Sequence, residues 1–237
     1  MLQCEALTVR FGGVVPLDCL DFTLPERGLF LLVGPNGAGK TTFMNVLTRV
    51  CDPAGGRVLI DGTNVLALRP HEVIGAGIGR SFQKAELFGA MTVMENVMVG
   101  LDRMLLPERE ARKRAHEVLE SFGLANKRDV RARDLPYGHQ KMLDVARALV
   151  SGPRLLLLDE PLAGLTEREV PALLATVERL ASERTVLMVE HHLDIVMNMA
   201  QRVTVIDFGR KIAEGPPAAV RTDPEVLRCY LGVPQTG

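Results

Sequence analysis

The sequence predicts an α/β fold with a helical insertion, and three patterns carry that expectation. Short apolar runs at Leu29 to Val33, Leu155 to Leu158 and Thr185 to Val189 have the length and continuity of fully buried strands. Each runs into a glycine-rich or polar segment, and α/β folds place their chemistry at such strand ends. Between residues 84 and 152 the apolar residues recur instead at helical spacing.

In chain order, residues 2–33 read as strands and turns. Leu7, Val9 and Phe11 alternate, Gly12-Gly13 turns the chain, and Leu20, Phe22 and Leu24 alternate again before the turn Pro25 to Gly28. By periodicity alone Phe11 is an ordinary core phenylalanine, although its ring face could stack on a base. A helix is expected over Phe43 to Thr48, and then a loop over Asp52 to Gly56. A strand at Arg57 to Ile60 and a turn at Asp61-Gly62 follow. A short helix with a Gly-rich turn falls within 66–79, and a strand over Gly79 to Gln83 ends on a polar residue.

The insertion spans 84–152. Thr92-x-x-Glu95 is a capping box opening a helix through Val99. Pro107 with Glu108 and Glu110 starts a second helix, striped by Ala111, Ala115, Val118, Leu119 and Phe122 and stopped by Gly123. A third follows Tyr137-Gly138, with Met142, Val145, Ala146 and Leu149 on one face. Further on, Thr166-x-x-Glu169 is a second capping box, whose helix carries Leu173, Leu174, Val177 and Leu180. A helix is expected from about Leu193, a hairpin over 203–213, and one short helix within 216–237.

The sharpest chemical signal is Gly34-Pro35-Asn36-Gly37-Ala38-Gly39-Lys40-Thr41-Thr42, which matches G-x-x-x-x-G-K-[ST] at every fixed position. Strand, Gly-rich turn and helix are the context that phosphate binding needs. The glycines let the backbone approach phosphates and turn its N–H groups inward, and the helix N-terminus adds free N–H groups and its dipole. Lys40 supplies a charge to the outer phosphates and Thr41 a hydroxyl to Mg²⁺. The chain is therefore expected to bind a nucleoside triphosphate.

Asp159-Glu160, at the end of an apolar strand, suit a Mg²⁺ ligand and a general base respectively. Gln83 could orient a water or touch Mg²⁺. His191, just past another buried strand, could hydrogen-bond the γ-phosphate, with His192 beside it a surface residue. Asn126-Lys127-Arg128-Asp129 mimics a guanine-binding signature but follows a helix stop rather than a strand, so it reads as a solvated loop.

Composition sets the outer bounds. The 237 residues suit one large α/β domain or a domain with a lobe attached, and a hydrophobic fraction of 47% is enough for a sizeable core. A net charge of −1 gives no argument for nucleic acid or an anionic membrane as a main partner. Cys4, Cys19, Cys51 and Cys229 show no C-x-x-C spacing, as in a reduced cytosolic chain. Met1 to Glu5 lacks the start of a signal peptide, and no apolar run approaches the roughly 18 residues of a membrane helix. A role at a membrane would need a partner to hold the chain there.

Together these motifs resemble the ATP-binding-cassette (ABC) ATPases over nearly the whole chain. The P-loop lies at 34–42, the Q-loop glutamine at Gln83, the signature segment at Leu135 to Lys141, the acidic strand motif at 155–160 and the switch histidine at His191. Within that family the chain is similar to ATPase subunits of branched-chain amino-acid importers. The matching pieces are Arg10-Phe11-Gly12-Gly13, Leu87-Phe88, Met91 to Asn96, Ala163-Gly164-Leu165, Val189 to His192 and Tyr230-Leu231-Gly232. The signature departs from L-S-G-G-Q: Pro136 replaces the serine and His139 the glutamine, and Thr166 stands where Asp or Asn is usual.

The resemblance implies one ABC ATPase domain over 1–237, with a P-loop NTPase (RecA-like) architecture. The α/β core and an antiparallel β subdomain would come from 1–83 and 153–237, and a helical signature subdomain from 84–152. Phe11 becomes an adenine-stacking residue, Gln83 a Mg²⁺ and water ligand, and Tyr137 and Gly138 contacts to nucleotide bound by a second cassette. The implied cofactors are ATP and Mg²⁺. The implied partners are a second ABC ATPase subunit in a homo- or heterodimer, membrane permease subunits and, indirectly, a solute-binding protein. The chain would sit on the cytoplasmic face of the plasma (inner) membrane. Met91, Met94 and Met98 could seat a permease helix, with a core role fitting two of the three equally well. Urea or another small solute is the alternative cargo. A non-transport cassette ATPase and a P-loop kinase are the alternative functions.

Overall fold

The computed structural model describes residues 1–191 and 193–231. In chain order the elements are β1 (Leu2–Phe11), β2 (Val14–Leu24), β3 (Gly28–Val33), α1 (Lys40–Leu47), β4 (Gly55–Ile60), β5 (Thr63–Asn64) and β6 (Ile78–Arg80). Then come α2 (Val93–Val99), α3 (Glu108–Ser121), α4 (Tyr137–Leu149), β7 (Leu155–Asp159), α5 (Val170–Glu183) and β8 (Thr185–Val189). The chain continues through α6 (Leu193–Val196), β9 (Arg202–Asp207), β10 (Arg210–Gly215), α7 (Pro217–Arg221) and α8 (Pro224–Leu231).

The strands form two sheets. The first is antiparallel, in the order β2-β1-β4-β5. The second runs β10-β9-β3-β8-β7-β6 and is parallel except at the β9/β10 hairpin. Every residue of β3, β7 and β8 is buried, which is why those strands read as unbroken apolar runs. Period two then divides them between two cores. Phe30 and Leu32 face α1 and the antiparallel sheet, while Leu29, Leu31 and Val33 face the helices α2 to α5. Helix α1 is thus held between the sheets, with the Phe43 ring 4.7 Å from that of Phe22, edge to face.

Several local expectations are corrected. Helix α1 begins at Lys40, inside the P-loop, rather than at Phe43. The helix expected within 66–79 is two 3₁₀ turns, Val65–Ala67 and Pro70–Glu72, and the short strand β5 precedes them. Strand β6 stops at Arg80, so Gln83 lies beyond its end. Thr92 and Glu95 do form a capping box. Thr166 and Glu169 bond each other, yet α5 starts only at Val170, because Pro171 has no N–H to continue the helix backwards. The tail forms two helices, α7 and α8, with Asp223 between them bonding the amides of Glu225 and Val226. Asn126 lies in a 3₁₀ turn, Ala125–Lys127, on the surface. Of the three methionines only Met94 is core: Met98 is partly buried and Met91 exposed. His192 and Gly232 lie outside the described residues.

Candidate functional site

The P-loop joins β3 to α1. The first bond of the helix ladder runs from the Phe43 N–H to the Gly39 carbonyl, 2.8 Å, so the amides of Lys40, Thr41 and Thr42 lie ahead of the ladder. Gly39 has φ +105, and a methyl group there would overlap the Pro16 carbonyl oxygen, so only glycine fits. Lys40 is 7% exposed, and its ammonium donates to the carbonyls of Gly34 at 2.7 Å and Pro35 at 2.9 Å. Burial pushes its pKa down, and the charges of Glu160 and Asp159 oppose that shift. A buried cation beside free backbone N–H donors is a site for a polyanion. Pro35 is half-buried, Gly34 and Ala38 are buried, and Asn36, Gly37 and Thr41 are exposed at the mouth, with Thr42 half-buried behind them.

The acidic pair stands at the C-terminal end of β7, in the sheet that also holds β3. Asp159 is nearly buried; Glu160 follows in a left-handed backbone conformation, φ +47. That conformation costs energy for a non-glycine residue and is typical of functional positions. It is held by the Glu160 N–H on the Val189 carbonyl, 2.9 Å. The side chain of Gln83 donates from Nε2 to Glu160 Oε2 at 2.7 Å, and His191 Nε2 lies 2.9 Å from Glu160 Oε1. A carboxylate only accepts, so the His191 proton belongs on Nε2 in this pairing. Lys40, Asp159, Glu160, Gln83 and His191 are thereby gathered at one end of the parallel sheet.

Three of the expected residues stand elsewhere. Phe11 is 55% exposed at the β1–β2 hairpin, so its reading as a core residue is overturned. Tyr137 and Gly138 open α4, and Pro136 is the residue capping that helix. The Tyr137 ring lies against Gly164, and the Glu169 carboxylate lies so close over Gly138 that a methyl there would overlap it.

Sequence reading passed over four buried polar residues that organise the site. Lys141 donates to the carbonyls of Gln83 and Glu160, the latter at 3.3 Å, and burial lowers its pKa. Asp144 accepts from the Phe82 N–H at 2.8 Å and from Arg147 at 2.6 Å, and burial raises its pKa against those bonds. Glu190 accepts from the amides of Leu162, 2.7 Å, and His191, 3.1 Å, and so fixes the turn after Glu160. Arg80 reaches from β6 to Asp159, 3.0 Å. The only sequence signal was charge interleaved with the apolar stripe of α4, at Lys141, Asp144 and Arg147.

Comparison with known proteins gives a consistent picture. The family model for the ABC transporter matches residues 17–163, and one for the branched-chain amino acid ATP-binding cassette transporter matches residues 210–235. The chain is 36% identical to the high-affinity branched-chain amino acid transport ATP-binding protein BraF of Pseudomonas aeruginosa, over 98% of both chains. The identity to LivG of Escherichia coli, a protein of the same description, is also 36%, over 98% of both. A crystal structure of a nucleotide-free ATP-binding cassette from an ABC transporter superposes with a TM-score of 0.89, at 29% identity, covering 98% of this chain and 99% of that one. The ADP conformation of such a cassette gives 0.88, also at 29% identity and with the same coverage. Matched by a family model over more than half its length and by relatives along nearly all of it, the chain belongs to the ABC transporter family, as one of its ATP-binding cassettes.

Proposed function

We propose that this cassette hydrolyses ATP to drive the import of branched-chain amino acids through partner permeases. The observation that carries the ATPase reading is the cluster at the strand ends. Glu160 is held by Gln83 on one oxygen and by His191 on the other, beside the buried ammonium of Lys40. The cargo is carried by the descriptions of the relatives.

In this reading residues 34–42 hold the triphosphate, with Lys40 leaving its loop carbonyls for the outer phosphates. Two hydrogen bonds fix the carboxylate of Glu160, which accepts the proton of the attacking water as the water oxygen bonds to phosphorus. His191 and Gln83 keep that base oriented and sense whether the γ-phosphate is in place. The donor set suits Mg²⁺, which takes hard oxygen ligands: the Thr41 hydroxyl, the Asp159 carboxylate and the Gln83 amide oxygen. Bound Mg²⁺ neutralises charge on the phosphates. Phe11, exposed at its hairpin, stacks on the adenine.

Tyr137 and Gly138 serve the nucleotide of a second cassette in a head-to-tail dimer. ATP binding only the closed dimer shifts the population toward it, and loss of the γ-phosphate reopens it. Permease subunits hold the cassette at the cytoplasmic face in this reading; among the described residues no helix is long and apolar enough to cross a membrane.

The test is Glu160→Gln. It should retain ATP binding, lose turnover by roughly 10²–10⁴-fold and accumulate a dimer with ATP on size analysis. Wild-type turnover would remove Glu160 from the role of base. Uptake of leucine against urea, in vesicles carrying the cassette with its native permeases, tests the cargo. Uptake of urea alone would overturn it.

A further inference from the structure

Arg80 has no role in the motifs of the sequence, yet it lies at the centre of the site. Its side chain is 5% exposed and that of its partner Asp159 4%. One terminal nitrogen, Nη2, donates to Asp159 Oδ2 at 3.0 Å. The other, Nη1, donates to Asn45 Oδ1 of α1 at 2.8 Å and to Oγ1 of Thr48, the residue that caps the end of α1, at 3.1 Å. The guanidinium also lies 5.0 Å over the Phe82 ring, at the start of the segment that carries Gln83. A planar fork can serve two elements at fixed geometry in a way that an ammonium on a flexible stem cannot.

We propose that Arg80 is a positioning residue for the metal site of the cassette. Its fork fixes the carboxylate of Asp159 relative to α1, the helix that begins with Lys40 and Thr41. With Oδ2 engaged by Arg80, Oδ1 is the oxygen left for the cation. The inference rests on the reading of Asp159 and Thr41 as Mg²⁺ ligands. A ligand on β7 and another on α1 have to keep their spacing for one small, geometrically strict ion, and Arg80 is the side chain that joins those two elements. Groups that orient a metal ligand typically cost about 10–100-fold in metal affinity when removed.

The experiment measures binding of a fluorescent ATP analogue to the full chain while Mg²⁺ is titrated, with binding in EDTA as the metal-free reference. Arg80→Met should raise the half-saturating Mg²⁺ about 10-fold or more and leave metal-free binding unchanged. Arg80→Lys, which keeps the charge and loses the fork, should fall in between. Asp159→Asn is run alongside. If Asp159→Asn shifts the titration and Arg80→Met does not, the proposal fails and the metal reading stands. If neither shifts it, the metal reading fails and takes the proposal with it. Tighter Mg²⁺ binding in Arg80→Met would show that the guanidinium competes with the cation, and would also overturn the proposal. Should Arg80→Met not fold, Asn45→Ala with Thr48→Val frees the fork from α1. That pair should shift the titration in the same direction by a smaller factor, and no shift would count against the proposal.

Discussion

The P-loop and the junction around Gln83 serve one site but are built in opposite ways. The P-loop is local: Lys40 bonds carbonyls five and six positions back, and the helix amides follow directly. The junction is assembled from distant side chains. Lys141 reaches Gln83 across 58 positions, Asp144 reaches Phe82 across 62, Gln83 reaches Glu160 across 77 and Arg80 reaches Asp159 across 79. In the P-loop, backbone geometry makes the site, so substitutions should act on ligand affinity. In the junction, buried charges hold three segments together, so substitutions should act on stability as well.

Asp144→Ala tests that difference most severely. It leaves the Phe82 amide without its acceptor and Arg147 without its ion partner. Removing one partner of a buried ion pair typically costs about 3–5 kcal/mol. Chemical denaturation should register that loss, and a cost near zero would put the junction on the same footing as the P-loop. Lys40→Ala is the counterpart. It should weaken ATP binding by about 1.5–3 kcal/mol, the worth of hydrogen bonds to a charged group, while thermal stability stays level or rises, because burial disfavours the charged lysine. Unchanged affinity for ATP would remove Lys40 from the site.

The pH dependence separates the regions further. Burial raises the folded-state pKa of Asp144 above its ordinary 3.8, so the folded chain holds this proton more tightly than the unfolded chain. Its contribution to stability is therefore fully present below the ordinary pKa and is lost as pH rises through the folded value. Relative to Asp144→Asn, the wild type should lose stability across that window. A parallel pH profile for the two proteins would show that the Asp144 pKa is not raised by folding. Thr92→Ala, at the cap of α2 and outside both regions, should cost only about 1 kcal/mol. A much larger loss there would mean that stability is not concentrated in the junction.

How far the sequence could be read follows from the same contrast. The unbroken apolar runs marked β3, β7 and β8 because strands buried on both faces are filled by apolar residues along their length, with the polar exceptions Asp159 and Thr185 at their ends. The P-loop, Asp159-Glu160 and His191 were legible because each is a short motif at the end of such a strand. Thr92 and Glu95 were legible because a capping box spans four residues. Arg80, Lys141, Asp144 and Glu190 were not, since nothing local separates a buried charge from a solvated one. Lys141 and Asp144 are even placed beside the apolar stripe of α4, where helical spacing alone assigns them to the surface. The start of α5 differs for the converse reason: Glu169 accepts from the Thr166 N–H as expected, but the Glu169 N–H bonds the Thr166 carbonyl rather than its hydroxyl, and Pro171 delays the helix.

One glycine ties the second half of the chain to the first. The N–H of Gly209, in the turn between β9 and β10, donates to the Ala38 carbonyl of the P-loop at 3.0 Å, and its own carbonyl accepts from the Asp18 N–H of β2 at 3.1 Å. The P-loop, the antiparallel sheet and the C-terminal hairpin thus share a single residue as a rivet. In hydrogen-exchange terms, opening the Gly209 amide separates the hairpin turn from the P-loop, and opening the Asp18 amide separates that turn from β2. Nucleotide that tightens the P-loop should slow exchange at the Gly209 amide, one hydrogen bond beyond the loop, and to a smaller extent at Asp18.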